Sequence, residues 1–249
     1  MSDLLVRVLG WRATVLHGDP QTYARWTWFR EKIRPGSLRV LDAGCGSGAF
    51  TMAAALSGND ALGLSNDERN NQFAERRAQL LGLKNIRFRT LDLRRLDAYA
   101  AELGTFDEIF CSEVIEHVLD DRKLLRDLVA MLRPGGRLLL TTPNKDYIHM
   151  VGDVLSEVED GGHVRWGYTL EELRSMLADL GVQVTEEGWN SGFVSQQLTN
   201  LMRLLGRVDV RLAWVVVLPL RVFTVIDRPL TRLIRYPYFS ITVVGIKQA

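Results

Sequence analysis

Cysteine is nearly missing. The 249-residue chain has two, Cys45 and Cys111, too few for a disulfide framework, and such scarcity points to a reducing compartment. An excess of one charge is missing too. Lysine plus arginine is 31 against 30 for aspartate plus glutamate, a net charge of +1. That balance gives no global pull toward nucleic acid or an anionic membrane. No apolar run is long enough for a transmembrane helix. Residues 1–20 lack the apolar stretch and small-residue cleavage site of a signal peptide. No period repeats, and no segment is low in complexity. A hydrophobic share of 47% with 24% charged residues excludes disorder, collagen and coiled coil. The expectation is a cytoplasmic α/β protein, one domain over 1–249, with a core large enough to need neither disulfide nor metal.

What is present is an alternation of short apolar runs with amphipathic ones, the signature of βαβ units around a parallel sheet. Leu38–Leu41 reads as a buried strand ending in Asp42-Ala-Gly-Cys-Gly-Ser-Gly48. A helix over Ala49–Ser57 follows, then a strand at Ala61–Leu64 and a helix over Asp67–Leu81 stopped by Gly82. Strands are expected at Ile86–Thr90, Phe106–Cys111 and Arg137–Thr142, with a helix at Asp121–Leu132 ended by Arg133-Pro-Gly-Gly136. Thr169 and Glu172 have the spacing of a capping box. Val182–Trp189 and Ile241–Ile246 complete seven strands. The stretch between them, roughly 196–239, is longer than a connection needs.

A strand, an Asp-x-Gly-x-Gly-x-Gly turn and a helix make a nucleotide cradle, because glycines let the backbone approach a ligand and the helix start offers free amides. A dinucleotide fingerprint spaces its glycines differently, and that counts against a nicotinamide dehydrogenase. Here they fall at 44, 46 and 48, with Asp42 two places before the first. An acidic residue at that point suits an ammonium-bearing ligand better than a phosphate.

Three ordered segments, Val40 to Gly48, Phe106 to Val118 (containing Glu113-Val-Ile-Glu116-His117) and Leu132 to Asn144, resemble the class I S-adenosylmethionine-dependent methyltransferases. The second and third most resemble the ubiquinone-biosynthesis O-methyltransferases and the small-RNA 2′-O-methyltransferases. The resemblance covers about residues 36–190. It implies a Rossmann-like seven-stranded mixed sheet, last strand antiparallel, with helices on both faces. It also implies a helical N-terminal lid over 1–35, a helical insertion over 191–239 that caps the acceptor, and a last strand in 240–249.

It further implies S-adenosylmethionine as methyl donor. Asp42, Gly44, Cys45 and Gly46 would line its methionine half, with Gly48 serving close packing. The family's ribose-binding acid falls at Ser65, so this sequence departs there, and Asn66 or Asp67 would supply the second ribose contact. Asp92 matches the acid that meets the adenine amino group, Leu93 would offer its amide, and Ser112 would touch the methionine end through its main chain.

Hydroxyl acceptors have high pKa values, so an O-methyltransferase gains from a base or a metal. Glu113, Glu116 and His117 leave the fourth strand together and form half a shell for a hard divalent ion such as magnesium. The small-RNA enzymes hold magnesium with this pattern and a later histidine, for which His163 stands in a similar place. In metal-free relatives the same histidine sits beside the acceptor or acts as base. His17 and His149 have no constellation around them. Trp11, Trp26, Trp28, Phe29 and Tyr23 give the N-terminal segment an aromatic stripe, and Tyr23 is the residue expected to reach cofactor or acceptor. Residues 199–238 carry seven arginines, two aspartates and neither lysine nor glutamate. The stretch reads as an acceptor lid, a peripheral membrane contact, or both.

The expected activity is methyl transfer to a small or lipid-linked hydroxyl acceptor. N- or C-methylation and RNA 2′-O-methylation are its rivals, the last opposed by the lack of basic charge. A membrane-associated scaffold without turnover is the alternative outside enzymes.

Overall fold

The computed structural model describes residues 3–10, 12 and 18–248. Trp11 and His17 therefore lie outside the described residues. One seven-stranded sheet organises the chain: β1 (Arg39–Ala43), β2 (Asp60–Ser65), β3 (Ile86–Thr90), β4 (Phe106–Ser112), β5 (Leu132–Pro143), β6 (Val182–Asn190) and β7 (Ser240–Lys247). Their spatial order is 3-2-1-4-5-7-6. β7 runs antiparallel to both neighbours, β5 and β6. The remaining pairs are parallel.

The helices are α1 (Asp3–Leu9), α2 (Pro20–Lys32), α3 (Ala49–Leu56), α4 (Glu68–Leu80), α5 (Leu96–Leu103), α6 (Asp121–Ala130), α7 (Leu170–Ala178), α8 (Phe193–Gly206), α9 (Val210–Leu220) and α10 (Asp227–Leu233). Central strands are buried on both faces, as parallel sheets require. Leu41, Ile109, Leu138 and Leu140 belong to the larger core, while Val40, Phe110 and Leu139 face a second cluster that holds Phe29 of α2. So α2 is seated on the sheet by its aromatic face, with Phe29 stacked on Phe50 of α3 at 4.3 Å.

Two boundaries differ from the sequence reading. The helix α6 stops at Ala130, and Arg133-Pro-Gly-Gly136 runs inside β5 rather than before it. The pairing register with β4 shifts there between Phe106 and Glu108, so the glycines are absorbed as an irregularity of the strand. Helix α5, short and alanine-rich, carried no cap signal that sequence reading could use. The capping box at Thr169 and Glu172 is formed in both directions.

The insertion folds as α8, α9, a 3-10 turn over Arg221–Ile226, and α10. Asp227 ties it together. Its buried carboxylate accepts from the amides of Gly192 (3.0 Å) and Val194 (2.8 Å) and from the Ser195 hydroxyl (2.5 Å). The acid of α10 thus caps the start of α8, which has no cap of its own.

The parallel strands end on the same side. Strand order reverses between β1 and β4, and the crevice at such a switch point is where open α/β sheets bind ligands.

Candidate active site

The glycine turn opens this crevice. Gly44, Gly46 and Gly48 all have positive φ, at 84°, 50° and 80°, where a side chain is strained. A Cβ on Gly44 would lie 2.4 Å from Val114, and one on Gly48 would lie 2.8 Å from Phe88 and 2.9 Å from Ala74. Those two serve packing, as expected for Gly48. A Cβ on Gly46 would meet nothing within 4 Å, so Gly46 faces open space, where a ligand fits. The amides of Gly44 and Cys45 both donate to Leu64 O, and Gly48 donates to Cys45 O. Only Gly46 and Ser47 keep loop amides without a protein acceptor among the described residues. Cys45 turns inward beside Gly63 and Asn71, with both backbone groups bonded and its thiol pushed up by burial. It shapes the loop from beneath.

Asp42 is buried at the floor and accepts 2.6 Å from the Thr51 hydroxyl. Burial pushes its carboxyl up to about 6, against the pull of Thr51. Beyond β2, Ser65 is buried and accepts from the Asp67 amide at 3.2 Å, while Asp67 caps α4 through the Arg69 amide at 2.9 Å. The exposed Asn66 is the one side chain of the three with no partner among the described residues. Asp92 accepts from the Arg94 amide at 3.0 Å and from its guanidinium at 2.6 Å. That arginine holds its carboxyl below the usual range. Leu93 is buried just after it. The Ser112 hydroxyl pairs with Thr141 at 2.9 Å.

The acidic segment after β4 splits in two. Glu113, at φ 53°, accepts from Thr141 (2.9 Å) and Ser240 (3.1 Å) and lies 3.8 Å from Arg25 of α2. Glu116 is fully buried, takes the Thr142 hydroxyl at 3.2 Å on one oxygen, and has no hydrogen bond on the other. Burial, reinforced by the charge of Glu113, pushes its carboxyl well above the usual carboxylate range. The unpartnered oxygen is 3.8 Å from His117 Nε2. His117 Nδ1 faces the Gly162 carbonyl at 2.9 Å, and since a carbonyl only accepts, Nδ1 is the donor of that pair. The His163 ring stands edge-on to that of His117, centroids 4.7 Å apart, and burial drops its pKa to about 4.

Ligand atoms of Glu116, His117 and His163 lie within 4.8 Å of one another, a set that can hold a cation. Glu113 is outside this group, its carboxylate already engaged by two hydroxyls and an arginine. The loop carrying His163 is fixed by Val164 N to Glu116 O (2.9 Å), by Arg165 to Val118 O (2.7 Å) and by Glu159, which takes the Leu119 amide (2.7 Å) and Arg94 (2.7 Å).

Residues 15–187 match the family model described as a methyltransferase domain. The chain belongs to this methyltransferase family. The ubiquinone biosynthesis O-methyltransferase of Rhizobium etli is 30% identical over 181 residues, 70% of this chain and 70% of that protein. The corresponding protein of Marinobacter nauticus is 27% identical over 194 residues, 75% of this chain and 79% of that one. That of Methylocella silvestris reaches 37%, but over 108 residues, 43% of this chain and only 41% of that protein. Among solved structures, the N-methyltransferase NodS from Bradyrhizobium japonicum with S-adenosyl-L-homocysteine aligns at TM-score 0.60 and 16% identity, over 94% of this chain and 91% of that one. The [4+2]-cyclase SpnF aligns at 0.61 and 17%, over 99% and 94%. Such identities speak for the fold alone, which one scaffold lends to several chemistries. Family membership makes the chain an S-adenosylmethionine-dependent methyltransferase, and the Gly46 opening above Asp42 fits that donor.

Other residues of the methyltransferase site were not foreseen. Tyr23, expected to reach inward, is 42% exposed and lines a separate cavity beneath the 3-10 turn. The residues of α2 that reach inward are Gln21, donating to Met150 Sδ at 3.3 Å, and Arg25. The spacing of Gln21, Arg25 and Phe29 puts them on one face of α2, a signal the aromatic stripe obscured. Thr141, Thr142 and Ser240 hold the two glutamates, and nothing short of strand pairing locates them. His149 stacks on Trp166 at 3.9 Å, a packing role.

Proposed function

We infer that this methyltransferase transfers its methyl to a hydroxyl of a small or lipid-linked acceptor held beside His117. When bound, S-adenosylmethionine supplies an electrophilic methyl on a sulfonium. The protein then has to align the acceptor oxygen and relieve it of its proton. Asp42 meets the ammonium of the donor, the amides of Gly46 and Ser47 meet its carboxylate, and Asn66 and Asp92 hold ribose and adenine. His117 stands beside the acceptor with Nε2 as its available nitrogen, since Gly162 engages Nδ1. Without a metal that nitrogen takes the acceptor's proton, and with one it would be a ligand, the cation then lowering the acceptor's pKa. Arg25 and Glu113 hold α2 over this end of the sheet and keep water out.

The observation that carries the reading is the buried, unpartnered oxygen of Glu116 facing Nε2 of His117, with His163 beside them. Without a partner, burial favours the protonated form of this carboxyl. With a divalent cation it becomes a ligand and the orphaned oxygen is satisfied. Two imidazoles and one carboxylate suit zinc or manganese better than the magnesium first expected. Calorimetric titration of zinc, manganese and magnesium into protein saturated with S-adenosylhomocysteine tests it. Saturable binding that disappears in the double variant Glu116→Gln, His117→Ala supports a metal-assisted O-methyltransferase for vicinal oxygens. No binding leaves His117 alone as base, and methyl transfer to catechols then decides between oxygen and other acceptors.

A lipid-linked acceptor has support of its own. Val222, Phe223, Val225 and Leu233 of the insertion are 53 to 81% exposed, among its arginines, an apolar and cationic face of the kind that rests on anionic membranes. None of the described helices is long and apolar enough to cross a membrane.

A further inference from the structure

The loop that carries the unclaimed amides is held from behind by one side chain. Gly48 N donates to Cys45 O at 2.8 Å, closing a four-residue turn with Gly46 and Ser47 at its tip. The peptide that joins Ser47 to Gly48 is pinned at both ends. Its N–H goes to Cys45, and its carbonyl accepts at 3.1 Å from Nη1 of Arg77, thirty residues on. Arg77 stands in the last turn of α4, the helix that also places Ala74 behind Gly48. Other arginines of α4 and of the β3 edge are neutralised: Arg69 by Asp67 (3.8 Å), Arg89 by Glu102 (2.6 Å) and Arg94 by Asp92 (2.6 Å). Arg77 has no carboxylate partner among the described residues. It is half-buried, and burial lowers its pKa with no acid to raise it. A cation partly withdrawn from water without a counter-ion is costly until an anion joins it.

We propose that Arg77 is a positioning residue for the carboxylate end of the methyl donor, acting through the Ser47 peptide that it fixes and through the charge it stations behind the turn. The inference rests on the placement of the donor given above, ammonium at Asp42 and carboxylate at the tip amides, and names the residue that maintains it. Amide donors held in place before binding need no reorganisation when the carboxylate arrives. Without the guanidinium the Ser47 carbonyl loses its donor and can swing toward the crevice, where its oxygen repels a carboxylate. The unneutralised charge adds a long-range attraction of the right sign, as Asp42 does for the ammonium. The two ends of the zwitterion are thus sorted by opposite charges on opposite sides of the glycine turn.

The test is calorimetric titration of S-adenosylhomocysteine and of its decarboxylated analogue, the same molecule with hydrogen in place of the carboxylate. The wild-type protein is expected to bind the first about a hundredfold tighter. In Arg77→Gln that gap should shrink to about tenfold, through weaker binding of S-adenosylhomocysteine and not of the analogue. Arg77→Met, which keeps the aliphatic stem, should behave alike and carries the test if the glutamine variant does not fold. Arg77→Lys should restore most of the gap, since it returns the charge and a donor. Lys84→Gln, which removes the same charge from the exposed turn after α4, should leave the gap as it is. A gap of wild-type size in the neutral Arg77 variants, whether or not both ligands bind more weakly, overturns the proposal and leaves Arg77 a structural residue. A gap that shrinks equally in Lys84→Gln overturns it too. No preference for the carboxylate in the wild-type protein overturns the placement of the donor along with it.

Discussion

Asp42 illustrates how a single buried group couples binding to protons. Its carboxyl stands near 6 when folded, above its unfolded value, so the folded state holds the proton more tightly. The associated stability is full below about pH 4 and declines as pH rises toward 6, by about 3 kcal/mol at most. An ammonium placed against Asp42 reverses the preference and expels the proton. Binding of S-adenosylhomocysteine should therefore release about half a proton at pH 6 and almost none at pH 7.5. Calorimetry in buffers of different ionisation enthalpy measures this, and Asp42→Asn should abolish it. Release that persists in that variant would place the ammonium elsewhere. At the same scale, Gly48→Ala should destabilise by about 2 kcal/mol or more, since the new methyl meets Phe88 and Ala74 and φ is positive. Thermal unfolding reads it directly.

Among elements, the insertion depends most on one residue. Asp227 joins α10 to the start of α8 by amides and a hydroxyl that have no other acceptor among the described residues. Asp227→Ala should cost about 2–4 kcal/mol and speed amide exchange in 193–206 before it does so in the sheet. Uniform exchange across both would show that the insertion has no separate stability. The strands were legible because buried parallel strands are short apolar runs between glycine punctuation, and Ile86–Thr90 is found where expected. The glycine turn and Glu116-His117 were legible because their chemistry is local in sequence. Arg25, Thr141 and Ser240 were not. They meet Glu113 only after α2 docks, β5 pairs with β4 and β7 pairs with β5 respectively, contacts with no trace in local pattern. The tie from Asp227 back to Gly192 escaped for the same reason.

For the molecule as a whole, net charge is near zero, while the insertion over 199–238 is basic, with seven arginines against two aspartates. Arg228, Arg232 and Arg235 accompany Val222, Phe223, Val225 and Leu233 in the insertion. Sedimentation with phosphatidylcholine vesicles, with and without phosphatidylglycerol, should show binding only to the anionic ones. Salt should weaken it. The double variant Phe223→Ser, Val225→Ser should reduce it without altering the fold, both side chains being exposed. Indifference to lipid charge would leave the insertion as a lid alone.

The position of β7 also sets an order in time. It occupies the slot between β5 and β6 yet is made after both. During synthesis β6 has no partner on either edge until Ser240 and its successors emerge, with α8 to α10 already formed or forming. An unpaired strand is an aggregation hazard, and here the exposure lasts through the whole insertion. By contrast β3, β2, β1, β4 and β5, with the glycine turn, can assemble early. A chain interrupted inside the insertion would keep the strands that bear the donor cradle and lose Ser240, which holds Glu113. Cofactor binding would then outlive acceptor chemistry, and the acceptor side of the enzyme would be the last part of it to mature.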